Sequence, residues 1–73
     1  MSNSNTVKLL DLDFSKFWDL LVEYSIATEE TLRIVTHING ASVETLNDVL
    51  EVVTAFDYEQ FCEEEEIDLE ELK

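Results

Sequence analysis

The 73-residue sequence has no proline and a single glycine, Gly40. This excludes a glycine-rich phosphate-cradling loop and leaves little chain that favours strands broken by tight turns. One cysteine, Cys62, cannot form an internal disulfide and excludes zinc held by several cysteines, in keeping with a reducing compartment. The one histidine, His37, has no partner at a metal-binding or catalytic spacing. Its place near the end of a helix suits an imidazolium facing the carbonyl dipole. Lys and Arg number only four, and Lys8, Lys16 and Arg33 are too scattered to form the basic stripe that direct nucleic-acid binding needs. No run of about 18 apolar residues is present, and the opening MSNSNTVK lacks the basic start and apolar stretch of a secretory signal. The expectation is a soluble, cytoplasmic chain that neither crosses nor binds a membrane.

What the sequence has in excess is negative charge: 18 Asp and Glu give a formal net charge of −14 and a pI of about 4.1. The excess is uneven. Twelve of the eighteen acids stand at Glu44, Asp48, Glu51, Asp57, Glu59, Glu63, Glu64, Glu65, Glu66, Asp68, Glu70 and Glu71, and no basic residue separates Arg33 from Lys73. Such a surface repels nucleic acid and anionic membranes and speeds encounter with basic partners. An apolar content of 45%, with four Phe, two Tyr and one Trp, is enough for the core of one small domain.

Apolar spacing is helical throughout, and the fold class expected is all-α, a compact bundle of three to four helices. Leu10, Phe14, Phe17, Trp18, Leu21 and Tyr24 form one series, with Asp13 as cap, for a helix near 14–25. Thr28, followed by Glu29 and Glu30 where acids suit the helix dipole, opens a second over 29–38. Ser42 caps a third over 43–54, with Leu46, Val49, Leu50 and Val53 as its apolar stripe. Asp57 with Gln60 three residues later spells a capping box for a fourth over 57–64. The expected interior is Trp18, Leu21, Leu32, Val35, Leu46, Val49, Leu50 and Phe61. Residues 1–9 read as a flexible tail, 10–62 as the helical domain, and 63–73 as an acidic tail or frayed helix extension. Ile67, Leu69 and Leu72 give that tail the look of an acidic-hydrophobic docking segment.

Two suggestive patterns fail on inspection. Asp11, Asp13 and Ser15 imitate the start of a calcium loop, but Lys16 replaces the turn glycine and Val22 the bidentate glutamate. Cys62 sits on the inner side of the fourth helix with Tyr58 and Phe61, beside four glutamates that disfavour a thiolate. No nucleophile and base, cofactor loop or ligand cluster remains, so the reading is a non-enzyme with no catalytic residue, metal or cofactor.

The stretch Leu32–Leu50, LRIVTHINGASVETLNDVL, resembles the helix-turn-helix of DNA-binding repressors: Asn39-Gly40 closes one helix, Ser42 caps the next, and Thr45-Leu46 and Val49-Leu50 face inward. It departs from that pattern at Thr36, where alanine is usual, and in charge. The outward positions of the second helix are Glu44, Asn47, Asp48 and Glu51, a set that repels DNA. In size and acidity the whole chain resembles the small DNA mimics of phages and mobile elements. That resemblance implies an inhibitor occupying the nucleic-acid-binding surface of a basic host protein. The face expected to do so comprises Glu44, Asp48, Glu51, Asp57, Glu59, Glu63, Glu64, Glu65 and Glu66. The alternative is a structural or adaptor protein that binds a partner, or itself as a homodimer, through apolar helix contacts, with acidity serving solubility.

Overall fold

The computed structural model describes residues 7–73, and among them are four α-helices, two short 3-10 turns and no strand. The helices are α1 (Phe14–Glu23), α2 (Glu29–Asn39), α3 (Val43–Thr54) and α4 (Tyr58–Glu64), with 3-10 turns at Leu9–Asp11 and Leu69–Leu72. The chain is a small all-α bundle.

Each α-helix starts where a side chain can take up an otherwise unpaired backbone N–H. Asp13 accepts from Lys16 at 3.0 Å, Thr28 from Thr31 at 3.1 Å, Ser42 from Thr45 at 3.3 Å and Asp57 from Gln60 at 2.8 Å. Each cap contributes about 1 kcal/mol. Only half of the capping box forms at α4, because the Gln60 side chain donates to Glu64 at 3.2 Å instead of turning back to Asp57.

The helix ends reflect the scarcity of glycine. Gly40, at φ +109°, closes α2, but Ser25 (φ 58°), Ala55 (φ 69°) and Glu66 (φ 58°) close the other three in the left-handed region. Such a conformation costs an ordinary residue about 1–2 kcal/mol. At α1 and α4 the chain recovers stability by the same device. Ile26 N–H donates to Leu21 O at 2.9 Å and Ile67 N–H to Cys62 O at 2.8 Å, and each isoleucine packs on the core.

Helix α3 is the axis of the bundle, with α1, α2, α4 and the first 3-10 turn all packed against it. The buried cluster takes Phe17, Leu20 and Leu21 from α1, Leu32 from α2, Val43, Leu46 and Leu50 from α3, and Phe61 and Cys62 from α4. Trp18 and Val49 are half-buried at its rim. One expected core position differs: Val35 is half-buried but lies outside the cluster. Val53, the last of the α3 stripe, is 54% exposed one residue before the helix ends, where it lines an open hollow with Val22, Ile26 and Val49. Leu10, the start of the expected apolar series, falls in the 3-10 turn and is 74% exposed, while Leu12 is buried in its place.

Residues 7–9 and the closing segment both pack on the core. Residues 1–6 of the expected tail lie outside the described residues, but Val7 is buried and Leu9 packs on the core, so 7–9 belong to the domain. Of the acidic segment 63–73, Glu63 and Glu64 are the last residues of α4. The chain then turns at Glu66 and runs back along α1, where Asp13 N–H donates to Leu72 O at 2.6 Å and Leu72 is buried. Ile67, Leu69 and Leu72 thus dock on the chain's own core, whose apolar gain outweighs the repulsion among the acids between them.

Candidate functional site

Helices α2 and α3 are joined by the short turn 40–42 and pack against each other. Thr36, where close approach favours alanine, is half-buried and turns its hydroxyl back onto Leu32 O at 2.7 Å. The outward arc of α3 carries Glu44, Asp48 and Glu51, all exposed and set opposite buried Leu46 and Leu50. At a rise of about 1.5 Å per residue, these three carboxylates are spaced at roughly 6 and 4.5 Å along the axis. A single DNA strand carries one charge per about 3.4 Å.

The remaining residues of the expected acidic face lie on α4, at its cap and in the segment that follows it. Asp57 is half-buried and committed as the α4 cap, and it lines a shallow hollow of about 330 Å³ with Glu51, Ala55, Phe56 and Gln60. Glu59 is half-buried beside Tyr58. Burial raises the Tyr58 pKa, and Glu59, Asp57 and Asp11 push it further in that direction. Glu63 and Glu64 are exposed on α4.

Glu65 and Glu66 follow the chain's turn toward α1. There they line a cleft of about 500 Å³ with Asp19, Glu23, Asp68 and Glu71, beside Lys16. Glu65 and Glu66 thus share a cleft with two acids of α1 that the expected face did not include. Asp19 and Glu23 were legible as neighbours at i and i+4 on one exposed flank of α1. Their meeting with 65–71 depends on the fold-back of the closing segment, which no local pattern announces.

Among the described residues one ion pair forms, Lys73 with Glu70 at 3.5 Å, and Lys16 donates to the Lys73 carbonyl at 3.3 Å. Among the described residues no cation forms an ion pair with the α3 carboxylates. No three His, Cys, Asp or Glu side chains among the described residues come together to hold a metal ion, and no helix is long and apolar enough to cross a membrane. Cys62 is buried, and burial pushes its thiol up to about 11, so desolvation and not the neighbouring glutamates governs it.

No protein-family model matches the chain, and neither a curated protein nor a solved structure does. What fold and surface define together is an all-α domain displaying unpaired carboxylates on its central helix.

Proposed function

We propose that this chain is a non-enzymatic, acidic protein-binding module of the cytoplasm. It occupies a basic surface that otherwise holds nucleic acid and so inhibits its target, in the manner of phage and mobile-element DNA mimics. The observation that supports this reading most is the outward arc of α3, where Glu44, Asp48 and Glu51 are exposed, unpaired and held on a rigid helix whose other side is the core. A row of like charges carried on one helix steers a basic partner and docks against it without ordering a flexible loop first. The acidic cleft between α1 and the closing segment extends the same field around the molecule.

The test is capture of partners from a bacterial lysate at low salt, with the wild type and the Glu44→Gln, Asp48→Asn, Glu51→Gln triple variant as baits, eluted on a salt gradient. The reading expects a basic, nucleic-acid-binding protein that leaves the wild type as salt rises and is depleted on the triple variant. Equal retention on both baits contradicts it.

A second reading, an adaptor that binds through apolar contacts, draws support from Ile34 and Ile38, which are 54% and 72% exposed on α2. A partner held that way persists or tightens in high salt.

A further inference from the structure

Residues 68–73 lie along α1 with little to tie them there. The chain leaves α4 through Glu65 and Glu66, the second in the left-handed region at φ 58°, and Ile67 N–H donates to Cys62 O at 2.8 Å, so the turn itself belongs to α4. Beyond it, Asp68 caps the 3-10 turn Leu69–Leu72 by accepting from Glu70 N–H at 3.0 Å, which gives the segment a shape of its own. Two polar contacts join that piece to α1 and its cap: Asp13 N–H donates to Leu72 O at 2.6 Å, and Lys16 Nζ donates to the Lys73 carbonyl at 3.3 Å. Leu72 is buried, and Leu69 packs on the core.

Charge opposes this docking. The cleft beside α1 is lined by Asp19 and Glu23 from the helix and by Glu65, Glu66, Asp68 and Glu71 from the turn and the segment, all of them exposed, with Lys16 as the one amine among them. Among the described residues no ion pair crosses the cleft, since Lys73 pairs within the segment, with Glu70. Sodium chloride leaves the apolar contacts of Leu69 and Leu72 in place but shortens the reach of the repulsion, from about 30 Å at 0.01 M to about 3 Å at 1 M. Two effects of opposite sign, one of them set by ionic strength, thus meet on a short element with a turn behind it. That is the composition of a segment that opens locally before the bundle unfolds.

We propose that residues 68–73 form a charge-gated strap, docked along α1 where the cleft carboxylates are screened and swung away from it on the Glu65-Glu66 turn where they are not. Release bares Leu72 and the flank of α1 that carries Leu20, both of which are buried and line the cleft in the docked form. Ionic strength therefore sets how much apolar surface the protein shows. The strap involves no partner and none of the α3 carboxylates, so its behaviour is independent of what they bind.

The N–H of Asp13 precedes the first turn of α1 and takes no part in its ladder, so its protection from exchange reports the bond to Leu72 O. Native-state amide exchange of the full chain, followed by NMR at fixed pH from about 0.01 M to about 1 M sodium chloride, tests the strap. Protection of the Asp13 amide should rise at least about tenfold across the series, and at low salt should lie far below that of the Leu50 amide within α3. Asp19→Asn with Glu23→Gln removes two charges from the cleft and should raise Asp13 protection at low salt and flatten its salt dependence. Asp48→Asn with Glu51→Gln, the same change of charge on α3, should flatten it far less. Leu72→Ser removes the apolar anchor and should leave Asp13 unprotected at every salt concentration, while the helical circular dichroism stays that of the wild type. Asp13 protection that does not change with salt overturns the proposal, as does protection equal to that of Leu50 throughout, which means that the segment opens only with the whole bundle. Equal flattening in the two double variants, or protection that survives Leu72→Ser, overturns it as well.

Discussion

The hydroxyl of Tyr58 donates a 2.7 Å hydrogen bond to the carbonyl oxygen of Val7, 51 positions earlier in the chain. The backbone N–H of the same residue donates to Asn47 Oδ1 at 2.9 Å. One residue at the start of α4 thereby joins α3, α4 and the beginning of the domain. Tyr58→Phe keeps the ring and removes only the first bond. It should cost about 0.5–1.5 kcal/mol in urea unfolding and raise amide exchange at residues 7–12. Unchanged exchange there would show that the bond does not hold the segment.

Leu46 and Val53 belong to one apolar stripe in the sequence, yet Leu46 is fully buried and Val53 is 54% exposed. Leu46→Ala should cost about 2–5 kcal/mol, a large share of what so small a domain can have, whereas Val53→Ala should stay within about 0.5 kcal/mol. Comparable losses in thermal melts would place Val53 in the core and refute the packing described.

Ala55 closes α3 at φ 69° and ψ 10°, the left-handed region, with its N–H donating to Glu51 O at 2.8 Å. Its side chain is exposed, so Ala55→Gly removes backbone strain with little lost packing. The variant should be more stable by about 0.5–1 kcal/mol after the extra freedom of glycine in the unfolded chain is counted. A destabilised Ala55→Gly would mean that the turn is not left-handed.

The buried Cys62 thiol ionises at about 11 in the folded protein and near 9.0 unperturbed. The unfolded chain therefore loses this proton first as pH rises. The contribution is fully present below about pH 9 and is lost as pH rises through about 11. Chemical unfolding should show stability falling by about 2–3 kcal/mol across that window from this group. In Cys62→Ala the fall should be shallower, the remainder coming from Tyr58, whose pKa is also raised. An equally steep fall in the variant would remove Cys62 as the cause.

Caps and helical periods are local, which is why Asp13, Thr28, Ser42 and Asp57 marked all four helix starts and the helix bounds differ from expectation by at most two positions. Ser25, Ala55 and Glu66 gave no sign of left-handed turns, because none is a residue type that the conformation favours. The docking of Leu72 against α1 was hidden for another reason. Its acids read as a repelling tail, and only the tertiary placement of Asp13 shows the backbone bond that anchors it. The same fold-back sets the neighbours of the last acids: Glu44, Asp48 and Glu51 were legible from spacing on one helix, whereas the company of Glu65 and Glu66 was decided by the turn after α4.

The central claim is that the α3 carboxylates occupy a nucleic-acid site on their target. The most direct measurement is a competition titration: the captured basic partner is loaded with labelled duplex DNA at fixed low salt, and the wild type or the Glu44→Gln, Asp48→Asn, Glu51→Gln variant is added. The account predicts that the wild type displaces the DNA completely and that the variant needs a much higher concentration, with the salt dependence of its binding flattened. A ternary complex in which the partner holds this chain and DNA together, or equal displacement by the two proteins, would contradict it.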